Sequence, residues 1–303
     1  MGEGWNEERD LRGYAGNPPN PHWPGEARLA VSLVLNMEAG AELSLADGDE
    51  RNEAVYEIVE PVEGAPNYAL ASHFDFETKT GYWRIMRLLE RFGLPCTVSC
   101  AGRTAARAPW MPADCVARGH EVSAHGYRWE RHAEMSLAAE RKAIARTVAA
   151  IEAACGQRPL GWHTKGTPSL NTRRLLAEEF NFIYDSDAYD EELPYRVTVG
   201  QRRHLIIPYA FDTNDMRFMP GGTFIHGEDF ARYCIEAFEV LWEEGAQHPA
   251  MLSIGIHPRL LGRPGRIRGL SRFLEHATAR DQVWFARRAD IARHWLDKVP
   301  DGA

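Results

Sequence analysis

The chain predicts an α/β fold in which about seven parallel strands close, or nearly close, into a barrel within one domain. Three observations predict it. β-rich and helix-periodic segments alternate from end to end, which implies parallel strands joined by helical crossovers. The first strand candidate, 29–37 (LAVSLVLNM), is almost wholly apolar, as expected of a strand covered on both faces. No shift in composition divides the 303 residues, so a single domain is expected over 1–303, with an irregular arm at 1–27.

The elements follow in order. Tyr82, Ile85, Met86 and Leu89 recur at helical spacing within 81–92, and Gly93 with Pro95 ends that helix. Residues 96–100 (CTVSC) read as the next strand, and 103–118 as mostly helix, interrupted by Pro109 and Pro112. A short strand at 121–124 runs into His125. Ser136 is a plausible N-cap for a helix whose apolar positions are Leu137, Ile144, Val148, Ile151 and Cys155, and Gly156 closes it. Strands at 161–164, 182–185, 205–211, 251–257 and 283–285 then alternate with helices at 170–180, 229–244, 266–277 and 289–295. Two long stretches, 41–80 and 189–204, are expected to be irregular, and loops of that length are usually functional.

Composition removes several classes. At 44% apolar and 10% aromatic residues, the chain is not disordered. The apolar-rich run 29–35 is far below the roughly 18 residues of a membrane span. Acids outnumber Lys plus Arg by 43 to 35, which disfavours nucleic acid as a partner. One stretch dissents: 259–272 carries five Arg and no acid, either as a solvated helix face or as a mouth that attracts an anionic or polar substrate. Residues 1–14 are polar and acidic, unlike a signal peptide. Five cysteines (Cys96, Cys100, Cys115, Cys155, Cys234) are an odd number at irregular spacing, so a cytoplasmic setting is expected.

In parallel α/β folds, ligands sit at the carboxyl ends of the strands. The polar residues that fall there are Glu38, His125, His163 with Lys165, Asp185 with Asp187, then Asp212, Asn214, Asp215 and Arg217, and finally His257. A carboxylate and two histidines converging from different strands make an acid–base constellation. His73, Asp75 and Glu77 alternate like a strand face and are a further candidate ligand set.

The segments LNMEAG (35–40), GHEVSAHGYRW (119–129), RPLGW (158–162), YDSDAYDEELPY (184–195), PYAFDTNDMRF (208–218) and LSIGIHPRLLGRPGR (252–266) resemble the polysaccharide deacetylase (NodB-like) superfamily, and more closely its branch of allantoinase-like and cyclic-imide hydrolases. The resemblance covers about residues 9 to 296. It implies a distorted (β/α) barrel of about seven strands. It also implies roles. The family's first motif ends in two acids, a general base followed by a metal ligand; Glu38 fills the first position and Ala39 stands at the second. The second motif of the metal-dependent members has two histidine ligands four apart; His125 matches the first and Trp129 stands at the second. His257 matches the general acid of the fifth motif.

A zinc site needs at least three protein ligands, so the usual divalent metal site is expected to be lost at Ala39 and Trp129, and no cofactor is expected. Losing the Lewis acid forfeits several kcal/mol of charge stabilisation, and a cyclic ureide or imide demands less of it than a plain acetamide. The sequence therefore predicts a hydrolase of a cyclic amide C–N bond: an allantoin-like ureide, a hydantoin or a cyclic imide. Glu38, His125 and His257 are its catalytic residues, and Trp129, Lys165, Asn214, Asp215, Arg217 and Tyr127 contact the substrate. The segments 162–174 (WHTKGTPSLNTRR) and 72–81 (SHFDFETKTG) depart from the allantoinase type, so the ring need not be allantoin. The alternatives are an N-deacetylase of an amino sugar or other acetamide with a rebuilt metal site, and a non-catalytic ligand-binding relative. A homo-oligomer is expected, with the helix 229–244 and its Trp242 as the interface candidate, and neither nucleic acid nor membrane as partner.

Overall fold

The computed structural model describes residues 10–300 except 56, 57, 59 and 220. Most of the segment on which the absence of a signal peptide was argued, 1–9, lies outside the described residues. One curled sheet organises the rest. Its strands are β1 (Leu29–Met37), β2 (Thr97–Cys100), β3 (Glu121–Ala124), β4 (Gly161–Trp162), β5 (Tyr184–Asp185), β6 (Tyr195–Val199), β7 (Arg202–Ile206), β8 (Ala250–Ile256) and β9 (Val283–Phe285). They run in the order β6-β7-β5-β4-β3-β2-β1-β8, with β9 paired to the start of β1. All pairs are parallel except β6 with β7.

The sheet falls one pairing short of a closed barrel. The segment 207–214 spans the gap: Ile207 N donates to Asp185 O on one side, and Gly255 N donates to Thr213 O on the other. From inside, the fully buried Arg288 donates to the carbonyls of Ile207 and Pro208 and to Ser253 Oγ. This is a half-barrel stitched shut by loop and guanidinium, in keeping with the distorted barrel the motifs imply.

Helices α1 (Tyr68–Phe76), α2 (Tyr82–Phe92), α3 (Gly102–Arg107), α4 (Trp110–Ala117), α5 (Leu137–Cys155), α6 (Thr172–Arg174), α7 (Gly227–Glu244), α8 (Pro264–Thr278) and α9 (Arg288–Lys298) complete the fold. Strand alternation then places the site. Leu29, Val31, Leu33, Leu35 and Met37 of β1 join the core under α2, α5, α7 and α8. The alternate residues, Ala30, Val34 and by continuation Asn36 and Glu38, share the inner side. The caps behave as their residue types require. Ser136 Oγ accepts from Ala139 N at the start of α5, and Gly156, in the left-handed region, ends it.

Two expectations are corrected. The stretch 41–80 contains α1, capped by Asn67 and continuing into a π-helical turn, Glu77–Gly81. His73, Asp75 and Glu77 are therefore helical and do not share a strand face. The stretch 189–204 contains the β6–β7 hairpin. The arm before β1 packs onto the barrel: Trp23 is buried against Trp284, His294 and Trp295 and donates to Ala250 O. All five cysteines are free thiols. Trp242, the proposed interface residue, donates to Asp281 O and lies under the guanidinium of Arg28. Among the described residues no helix is long and apolar enough to cross a membrane.

Candidate active site

Glu38 follows directly on β1, His125 on β3 and His257 on β8, so three strand ends deliver three side chains to one place. Glu38 is 3% exposed. Its Oε1 lies 3.2 Å from His125 Nε2, and its Oε2 takes the Arg259 guanidinium and lies 3.9 Å from His257 Nε2. His125 Nδ1 lies 2.7 Å from the His163 carbonyl. A carbonyl only accepts, so Nδ1 donates there, and Nε2 must also carry a proton to donate to the ionised Glu38 carboxylate. His257 Nδ1 donates to Asp215 Oδ1 at 2.6 Å, while Asp215 Oδ2 accepts the backbone N–H of His257 and of Leu261. Asp215 thus fixes both the ring and the loop that carries it.

The charges follow from this geometry. Burial alone raises the Glu38 carboxyl, but the Arg259 guanidinium, the His125 hydrogen bond and the two imidazoles hold it well below the usual carboxylate range. Burial lowers His257, yet Asp215 and Glu38 together lift it above its ordinary value. His163, buried beside His125, is held well below the usual range and is neutral.

These groups line a cavity of about 630 Å³. Of the residues read from the sequence, Glu38, His125, His257, Trp129, Lys165 and Asn214 lie on its wall. Asn214 is already engaged: its Oδ1 accepts from Met216 N, and its Nδ2 lies 3.4 Å from Ala210 O. Three expected substrate contacts are placed elsewhere. Tyr127 packs beneath Arg146 against Gly102. Arg217 lies over Phe224 and Tyr233 and donates to Thr223 Oγ1. Asp215 is wholly buried behind His257.

The sequence reading named Glu77 only as a candidate metal ligand and Arg259 only within its arginine run, and assigned neither to Glu38. Arg259 was one of five arginines in a run; its position two residues after His257 was the available signal. Glu77 Oε1 accepts the backbone N–H of both Glu38 and Ala39, and its Oε2 finds no hydrogen-bond partner among the described residues. Burial pushes its carboxyl up to about 7, against those two N–H groups. Glu77 thus sets a carboxyl beside Ala39, facing the backbone.

Metal ligation does not fit this donor set. Among the described residues no three His, Cys, Asp or Glu side chains converge on a point that could hold an ion. At the two positions where the resemblance implies ligands stand the Ala39 methyl and the Trp129 indole, packed together with Phe74. Two cations lie over that indole, Lys165 Nζ at 3.5 Å from the ring centre and the Arg259 guanidinium at 5.6 Å.

The comparisons agree with the motifs. A family model described as polysaccharide deacetylase matches residues 64–181. A Schizosaccharomyces pombe protein bearing a polysaccharide deacetylase name is 35% identical, over 97% of this chain and 98% of its own length. The crystal structure of PuuE allantoinase is 45% identical with a TM-score of 0.93, covering 97% of this chain and 99% of that one. A Pseudomonas aeruginosa structure named for polysaccharide deacetylase gives the same values.

Proposed function

This chain belongs to the polysaccharide deacetylase family, and from that premise we propose that it is a hydrolase that opens a cyclic amide, a ureide, hydantoin or imide, by Glu38-activated water without a metal. The observation that carries this reading is one carboxylate, Glu38, set between two imidazoles at the base of a compact cavity in which the usual metal donors are replaced by Ala39 and Trp129. Similarity to a protein named allantoinase supports it; that name speaks for the relative.

Each group has a task. Glu38 is ionised at neutral pH and takes the proton of the attacking water. His257, raised by Asp215 and Glu38, holds a proton on Nε2 for the departing ring nitrogen. His125, anchored by the His163 carbonyl, orients Glu38. Arg259 supplies fixed positive charge beside the reacting carbonyl, preorganised by its bond to Glu38.

The wall also suits a ring bearing alternating N–H and C=O groups. Asn36 Oδ1, His163 Nδ1 and Trp129 Nε1 are buried, belong to cavity residues and find no hydrogen-bond partner among the described residues. Each unmet polar atom costs about 1–3 kcal/mol, and a ureide or imide edge offers both donors and acceptors to meet them.

The test is a substrate panel with metal-stripped protein: hydantoin, allantoin, dihydrouracil, succinimide and an N-acetylglucosamine oligomer, followed by ring-opening absorbance loss or acetate release. Opening of at least one ring, unchanged by chelator, is expected. Acetate release that needs added zinc would replace this reading with the acetamide one.

A further inference from the structure

Lys165 follows β4 on a loop that is tied down from below. Asp187 Oδ1 accepts Thr164 N at 2.7 Å, and its Oδ2 accepts Thr164 Oγ1 at 2.6 Å. The ammonium is thereby held over the Trp129 ring, 3.5 Å from its centre, on the cavity wall. Glu38 and Glu53 act on its charge only at a distance, against the effect of burial. Among the described residues Lys165 makes no hydrogen bond and no ion pair.

The other cavity charges are spoken for. Arg259 lies on Glu38, Arg51 is 3.9 Å from Glu53 and Arg131 is 2.9 Å from Glu134. Both Glu38 oxygens are taken, by Arg259 and His125. Among the described residues that leaves one cation, Lys165, and one carboxylate, Glu130, which lines the same wall without bonding to it. A half-buried ammonium on an indole face is stabilised by the ring, and it lacks only an anion.

We propose that the ring substrate of this hydrolase carries a carboxylate, and that Lys165, seated on Trp129, is the residue that binds it and sets the specificity. The inference rests on the ring-hydrolase reading above. A single carboxylate fits better than a phosphate. Lysine presents one compact charge, whereas phosphate is best met by arginine forks, and a dianion would face Glu53 and Glu130 across the same cavity. The class is therefore a five- or six-membered ureide or imide with an acid substituent on a ring carbon.

Two matched pairs test this: dihydrouracil against its 6-carboxylate, and hydantoin against hydantoin-5-acetate. In wild-type protein the carboxylated ring of at least one pair is expected to show a kcat/KM at least tenfold higher, mostly through KM. Lys165→Met should bring that ratio close to one, Lys165→Arg should keep part of it, and Glu130→Gln should leave it in place. Calorimetric titration of Glu38→Gln reads the same preference without turnover, again at least tenfold in Kd. Equal kcat/KM and equal Kd within both pairs would overturn the anion site while leaving ring hydrolysis standing. Tight binding of a carboxylated ring by Glu38→Gln, with no ring opened by wild type, would support the anion site and remove the hydrolase reading. Absence of binding by every member of both pairs would overturn the proposal, as would a ratio that survives Lys165→Met.

Discussion

Two clusters of the same ingredients sit at the carboxyl ends of two strands. After β1, Glu38 meets Arg259, His125 and His257. At the end of β5, Asp185 meets Arg173 and His204: Arg173 Nε donates to Oδ2 at 2.9 Å, His204 Nε2 lies 3.0 Å from the same oxygen, and Asp187 N donates to Oδ1. Both carboxylates are buried, and both are held below the usual carboxylate range against the effect of burial. Only the first opens onto the cavity. Asp185 has every lone pair turned to its own chain, while the histidines around Glu38 present to a space that a small molecule can enter. A carboxylate, an arginine and a histidine do not make an active site; access and groups left over for a substrate do.

The sharpest way to break the comparison is to neutralise each acid. Glu38→Gln should lower ring-opening kcat by about 10²–10⁴-fold, as expected for loss of a general base, with an unchanged circular dichroism spectrum. A variant within a few-fold of wild type would put the two clusters in the same structural class. Asp185→Ala should do the reverse. Removing one partner of a buried ion pair costs about 3–5 kcal/mol, read as a lower urea midpoint, while the folded protein keeps its kcat.

The next effect concerns Glu77, which supports the backbone of Glu38. Its carboxyl is pushed up to about 7 in the folded protein, so between the unfolded value near 4.5 and 7 the folded state holds a proton that the unfolded chain releases. Its contribution to stability is complete below the unfolded value and falls as pH rises towards 7, by about 3 kcal/mol. Glu77→Gln cannot titrate, so urea midpoints at pH 5 and pH 7.5 should differ less than in wild type. Equal slopes would show Glu77 ionised throughout. The smallest effect is at Asp215. Asp215→Asn removes the carboxylate that lifts His257, so the alkaline limb of the kcat/KM profile, where His257 loses its proton, should move to lower pH. Activity at neutral pH should drop about tenfold for each unit of that shift. An unmoved limb would assign it to another group.

The Glu38 cluster was largely legible in the sequence because three of its members end strands, and strand ends are set by local pattern: an apolar run before Glu38, and short β-rich runs before His125 and His257. Its remaining members were not. Arg259 reaches Glu38 across 221 positions, and no local property separates a buried arginine from the four around it. Tyr127 and Trp129 share one motif, yet the turn after β3 sends one beneath Arg146 and the other to the cavity. Helix α1 escaped because only Leu70 and Phe74 are buried along it, too thin an apolar stripe to read as amphipathic. The β6–β7 hairpin escaped because half of its strand residues are polar and both strands are partly exposed; its turn signal was the two-residue link Gly200-Gln201, whose glycine takes a positive φ.

Gly81, at the end of the π-helical turn, touches the backbone at Pro258 and Gly262, and a Cβ at either glycine would strike the Pro258 carbonyl. The turn that carries Glu77 and the loop that carries His257 and Arg259 are therefore clamped into one rigid slab. Lineages that retune this scaffold for a new ring have little freedom on that side. Their room for change lies on the loops outside that slab, where Trp129 follows β3 and Lys165 follows β4, so diversification should run through those two loops while the slab stays fixed.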